Sequence, residues 1–91
     1  MTFLISWKTK DHTKTIPEFK KHGSAQAFAT ALGADGLNVK QSWHVVGEPR
    51  GVLVVEAASP KVIHSAMVKV ASLFDVVVDQ VLTDAESVAS L

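Results

Sequence analysis

His44 is the residue whose type and setting come nearest to chemistry. It lies in an alternating run, Leu37 to Val46, and Glu56 lies in the next apolar run, after the five-residue connection Gly47-Glu48-Pro49-Arg50-Gly51. Two runs joined this way pair side by side, so His44 and Glu56 are expected as near neighbours. An imidazole next to a carboxylate is a poised general base, and the same pair serves equally well as a structural hydrogen bond. Asp79 is a lone carboxylate in the Val-rich run Val76 to Leu82. Turned inward it needs a partner such as His44, His64 or Ser6, because an unpaired buried charge is costly; at a sheet edge it faces water. Trp7 and Trp43 are the only tryptophans. Each either packs in a core or interface or lines a ligand cavity. The candidate catalytic residues are therefore His44 and Glu56, and the candidate ligand-binding residues are Trp7, Trp43, His44, Glu56 and Asp79.

Other chemistries find little support. The four histidines, His12, His22, His44 and His64, have no second histidine at i,i+2 or i,i+4, and no H-E-x-x-H occurs. A metal site would have to be assembled across elements, and none is expected. The absence of cysteine removes disulfides, thiolate zinc, iron–sulfur ligation and cysteine nucleophiles. There is no glycine-rich phosphate loop, and no cofactor is implied. Nine Lys and Arg balance nine Asp and Glu, which argues against general affinity for nucleic acid or anionic lipid. No apolar run approaches the length of a membrane span, and the first residues lack the n-region and h-region of a signal peptide. A cytoplasmic protein is the expectation.

The balance of charge is global and not local. Lys8, Lys10, Lys14, Lys20 and Lys21 face only Asp11 and Glu18 between residues 8 and 22, whereas Asp75, Asp79, Asp84 and Glu86 have no base among them from residue 75 onward. The first segment reads as a solvated face or a small anion site, the last as an acidic tail.

The elements that must position these residues can be read in order. Phe3, Ile5 and Trp7 alternate with Leu4, Ser6 and Lys8, a first strand. Lys10 to Lys14 reads as a loop, and Thr15-Ile16-Pro17-Glu18 as a helix start with Thr15 as cap. The apolar stripe changes phase at Gly23-Ser24, which predicts a break and a second helix from Ala25 to about Leu32, capped by Ser24 and ended by Gly33. In the second strand Val39, Gln41, Trp43 and Val45 should share one face and Lys40, Ser42, His44 and Val46 the other. Val52 to Ala57 is a third strand. Ser59-Pro60 opens a helix with the stripe Ile63, Ala66, Met67, Val70 and Phe74. Val76 to Leu82 is a fourth strand, and Thr83-Asp84-Ala85-Glu86 is a capping box that opens a short C-terminal tail or helix over residues 83–91.

The order β-α-β-β-α-β is the ferredoxin-like arrangement of a single α+β domain, residues 1–91, with a four-stranded antiparallel sheet and helices on one face. Strands three and four are apolar on both faces. A sheet that met water on its second face should alternate, so a second copy is expected to cover it, giving a homodimer through the open sheet face. This explains the 47% hydrophobic content of so short a chain.

The stretches Trp43-His44-Val45-Val46-Gly47 and Arg50-Gly51-Val52-Leu53-Val54-Val55-Glu56-Ala57, followed by Ser59, Leu73-Phe74-Asp75 and Val81-Leu82-Thr83-Asp84, carry a further signal. With them the chain resembles an uncharacterised bacterial family of small dimeric α+β-barrel proteins with a similar W-H-x-x-G and R-G-x-x-x-x-E-A core. The stretch from His22 to Leu37 is longer than that pattern. The resemblance implies the fold and the dimer, and supplies no catalytic residues. Related barrels often bind small aromatic or tetrapyrrole-like molecules. A metallochaperone is excluded by the missing cysteine pair, and an RNA-recognition domain by the lack of aromatics on the third strand. Three readings stay open: a domain binding a small apolar or aromatic ligand or acting as an accessory factor, a cofactor-independent monooxygenase- or isomerase-type enzyme with His44 as base, and a pure assembly module.

Overall fold

A computed structural model describes residues 1–91. Eight elements follow one another: β1 (Thr2–Thr9), α1 (His12–His22), α2 (Ala25–Ala31), β2 (Asn38–His44), β3 (Arg50–Glu56), α3 (Pro60–Val70), β4 (Phe74–Val81) and α4 (Asp84–Ser90). The four strands form one antiparallel sheet in the order β2-β3-β1-β4, the ferredoxin-like topology with α1, α2 and α3 on one face. No helix is long and apolar enough to cross a membrane.

The register divides the side chains between two faces. Phe3 pairs with Val55 and Gln80, Ile5 with Leu53 and Val78, and Trp7 with Gly51 and Val76; these point to the helices. Phe3, Ile5 and Val55 join Ile63, Ala66 and Val70 of α3 and Ala34 and Leu37 of the α2–β2 connection in the buried core. Leu4, Ser6, Val52, Val54 and Val77 point to the opposite, open face, where Val77 is 62% exposed. Both faces of β3 and β4 are thus apolar, as their composition requires, and only one is covered within the chain.

Three local readings change. Helix α1 begins at His12, not at Thr15. Asp11 is its cap, accepting from the Thr13 amide at 3.1 Å, while Thr15 is buried and its hydroxyl donates to the Asp11 carbonyl at 3.0 Å. Pro17 therefore lies inside the helix, where its ring cannot accompany a normal i−4 bond. Phe74 does not continue the α3 stripe but opens β4, because α3 ends at Val70. The third change is in β2. A bulge at Lys40, between the Val39↔Val55 and Gln41↔Val54 pairs, adds a residue to the strand. Regular alternation, which would place Val39 and Trp43 on one face, is broken. Val39 faces the helices, Trp43 faces the open side, and Ser42 and His44 face the helices.

The other punctuation forms as its chemistry dictates. Gly23 takes the left-handed conformation at the end of α1, with φ of 80°, and Ser24 caps α2 by accepting from the Ala27 amide at 3.1 Å. Thr83 and Glu86 form both bonds of a capping box on α4. No residue of α4 is buried, and Val88 is 71% exposed.

Candidate functional site

Between the helix face of the sheet and α1, α2 and α3 lies a cavity of about 210 Å³. Its lining is almost wholly apolar because the residues facing it come from the inward rows of the sheet and the inward sides of the helices. Five aromatic rings close a circuit within it. Trp7 meets His44 at 5.3 Å between ring centres and Phe74 at 5.5 Å; Phe74 meets Phe28 at 5.9 Å; Phe28 meets Phe19 at 6.1 Å; and Phe19 returns to His44 at 5.1 Å. Four of these contacts are edge-to-face, with interplanar angles of 65–82°, the geometry in which the positive edge of one ring meets the negative face of the next. The rings come from β1, α1, α2, β2 and β4, so only the complete fold assembles them.

Each ring is set by a local device. Trp7 has room because its partner on β3 is Gly51: a Cβ there would stand 2.6 Å from Trp7 Cζ2 and would also strike the Trp43 carbonyl oxygen. Phe28 is the one buried residue of α2, presented inward by the break at Gly23-Ser24. His44 owes its direction to the Lys40 bulge. That segment of β2 is fastened to α2 by Gln26, which accepts from the Val39 amide at 2.8 Å and donates to the Leu37 carbonyl at 3.1 Å. The polar rim is largely committed. The Thr9 hydroxyl donates to the Pro49 carbonyl at 3.3 Å, Thr15 to Asp11, and Glu48 is paired with Arg50 at 2.8 Å. His44 is held by its ring contacts with Trp7 and Phe19 and remains exposed at the mouth.

The sequence candidates divide between two places. Trp7 and His44 line the cavity together. Trp43, Glu56 and Asp79 are on the open face of the sheet. Trp43 is 51% exposed there, and Glu56 forms an ion pair with Lys40 at 3.7 Å. Glu56 is not a neighbour of His44: it pairs with Asn38 at one end of the β2–β3 ladder, whereas His44 pairs with Gly51 at the other, on the opposite face. The hairpin brings the strands together, but antiparallel register sets the last residue of one strand beside the first residues of the other, so His44 and Glu56, each the last of its strand, lie at opposite ends of the ladder, and the two side chains fall on different sides. Asp79 is exposed, opposite Leu4. Ser6 shares that face, and His64 is exposed on α3. No three His, Asp or Glu side chains converge. Of the basic segment, Lys10 pairs with Asp75 at 3.9 Å.

Phe19, Phe28 and Phe74 were missing from the sequence candidates. The available signal was that the four phenylalanines are spread over four elements, three of them in segments adjoining the strands that carry Trp7 and His44. Periodicity alone assigns such residues to the core.

Two electrostatic features stand apart from the cavity. The Thr13 hydroxyl, donating to Asp11, holds the Asp11 carboxyl below its ordinary value. The Thr83 amide, donating to Glu86, does the same for that carboxyl. Both are helix caps.

Among solved structures, the fold is similar to a protein from Nitrosomonas europaea described as a candidate antibiotic biosynthesis monooxygenase. The identity is 16%, the TM-score 0.47, and the match covers 91% of this chain and 100% of that one. No curated protein matches the sequence. A family model does match, over residues 1–91, the full length described here, and the chain belongs to that family, the domain of unknown function DUF3303.

Proposed function

We propose that this chain binds a small apolar or aromatic molecule in the cavity between sheet and helices, and that it works as a homodimer paired through the open sheet face. The observation that carries the first part is the closed circuit of five rings around an apolar space of about 210 Å³. Dry apolar cavities of about 150 Å³ take up benzene, whereas sites for drug-sized ligands begin at about 300 Å³. A one- or two-ring compound fits between these bounds. The ring edges and faces offer it the same contacts they make with one another, and His44 at the mouth offers one polar contact. The second part is supported by Leu4, Val52, Val54, Trp43 and Val77, which make a contiguous apolar surface on the open face. Surfaces of that kind mark interaction sites.

The two tryptophans allow a direct test, since Trp7 faces the cavity and Trp43 the open side. Trp43→Phe leaves Trp7 as the only indole. Titration with naphthalene should then give saturable quenching of Trp7 emission, and Ala29→Leu, which fills part of the cavity, should weaken it at least fivefold without loss of helical signal. Quenching that never saturates, or that Ala29→Leu leaves unchanged, overturns the binding reading. Sedimentation equilibrium of the unmodified protein tests the pairing; a particle of 9.7 kDa at micromolar concentration overturns it.

The exposure of the His44 imidazole at the mouth of the cavity favours one alternative, a cofactor-independent enzyme with His44 as general base. Glu56 does not orient it, so the imidazole would act alone or with a substrate group. Under this reading His44→Ala abolishes turnover even at ligand concentrations that saturate the cavity.

A further inference from the structure

Building on the ligand binding proposed above, we infer that the ligand is a bicyclic heteroarene of the indole class, held with its ring N–H donating to Thr9 and Thr15. These two are the buried polar side chains of the chain, 8% and 4% exposed, and both line the cavity. Thr9 stands two residues beyond Trp7 on the same face of β1, opposite Phe74 of β4. Thr15 lies in α1, and only Lys10 and Asp11 separate the two elements. The buried side-chain polarity of the molecule is thus concentrated where β1 turns into α1, beside an otherwise apolar space.

Neither hydroxyl is required by the carbonyl it reaches. The Pro49 carbonyl already accepts from the Thr9 amide at 3.1 Å, and the Asp11 carbonyl from the Lys14 and Thr15 amides at 3.2 Å and 3.1 Å. Valine has the same branched shape and would line an apolar space without burying an oxygen. A hydroxyl has one proton and two lone pairs. Thr9 gives its proton to the Pro49 carbonyl at 3.3 Å, and Thr15 gives its proton to the Asp11 carbonyl at 3.0 Å. With both protons committed, the pair can only accept. The ring nitrogens of the lining belong to Trp7, half-buried, and His44, exposed, and water at the mouth serves them with or without a ligand. Glu48 also only accepts, and one of its oxygens is taken by Arg50.

A buried end that only accepts selects a ligand by what it lacks as well as by what it offers. A pyrrole-type N–H, like that of the tryptophan side chain, is a donor and nothing else, so the one polar group of an indole finds its partner there. A phenol brings a donor together with an acceptor, and that acceptor meets no donor at this end. A ring ether of the same size brings an acceptor alone; it faces lone pairs and is not repaid for the water it gave up. Size agrees, since a two-ring compound suits a space of about 210 Å³. Its edges and faces match those of Trp7, Phe28 and Phe74.

Indole and benzofuran test this directly, because they share a shape and differ in an N–H against a ring oxygen. Each is titrated into nitrogen-15-labelled protein and followed at the side-chain N–H signal of Trp7. Indole should bind about fivefold more tightly than benzofuran, the net worth of one neutral hydrogen bond. In Thr9→Val/Thr15→Val the order should reverse, since the N–H then gives up its water for no partner. Thr9→Ser/Thr15→Ser keeps both oxygens and should keep the original order. Should the valine pair not fold, each valine variant alone should narrow the indole preference. Benzofuran binding the unmodified protein as tightly as indole, or an indole preference untouched by the valines, overturns the inference while the cavity stands as a binding site. If neither compound shifts the Trp7 signal saturably, the binding proposed above fails and the inference with it.

Discussion

Trp7 occupies the space that a side chain at Gly51 would fill. The two residues are directly paired across β1 and β3, and a Cβ on Gly51 would lie 2.6 Å and 2.9 Å from two atoms of the indole. The ring circuit therefore depends on a residue that contributes no ring. Gly51→Ala should force both Trp7 and the Trp43 backbone carbonyl, which the Cβ would also strike, off their positions, at an overpacking cost of about 1–3 kcal/mol. Thermal unfolding should show a fall in Tm of roughly 10 °C, accompanied in the Trp43→Phe background by a shift in Trp7 emission.

Gln26 holds β2 to α2 through both ends of its amide. Gln26→Ala leaves the Val39 amide and the Leu37 carbonyl without those partners, at about 1–3 kcal/mol for a part-buried pair. The urea midpoint should fall by a corresponding amount, and the naphthalene affinity with it, because the strand segment that aims His44 loses its anchor. Gln26→Glu retains only the acceptor half and should fall between the two.

Lys40 is the extra residue of the bulge. Deleting it should leave Val39, Gln41, Ser42, Trp43 and His44 on the faces they already occupy, since the strand then alternates without interruption against the same partners on β3. The deletion costs only an exposed ion pair with Glu56, worth about 0–1 kcal/mol. Tm should move by a few degrees at most, and Trp7 should still report naphthalene. Deletion of Ser42, by contrast, reverses the faces of Trp43 and His44 and should abolish the response.

The caps give a pH signature. Hydrogen bonds from Thr13 to Asp11 and from Thr83 to Glu86 lower both carboxyls below their ordinary values of 3.8 and 4.5. Groups depressed on folding contribute fully above their unfolded values, and that contribution is lost as pH falls through the lower native ones. Carboxyl carbon titration should therefore place both midpoints below the ordinary values, and Thr13→Ala should raise that of Asp11. Acidification through the Glu86 midpoint should unwind α4 before the rest of the chain, since α4 buries nothing.

Much of this fold is legible in the sequence because it rests on local signals. The break at Gly23-Ser24, the Ser59-Pro60 start, the Thr83–Glu86 box and the two-sided apolar character of β3 and β4 each follow from residue type and period. The start of α1 was harder to read, since Asp11 is as good a cap as Thr15 and Pro17 favours the later start. The face on which each β2 residue lies was hidden by a single inserted residue, because a bulge leaves no mark in composition and reverses every side chain beyond it.

The candidate site divides along the same line. Sequence alone determined that Trp7 shares a face with Phe3 and Ile5 and that the chain carries more apolar strand surface than one helix layer covers; the first follows from an alternation of period two within β1, the second from the lack of polar alternation in β3 and β4. Only the tertiary structure decided that His44 joins Trp7 while Trp43 and Glu56 do not, and that Phe19, Phe28 and Phe74 complete the circuit. Those relationships join residues from separate elements, and their distances are fixed by register and by helix packing across the sheet, which no local pattern encodes.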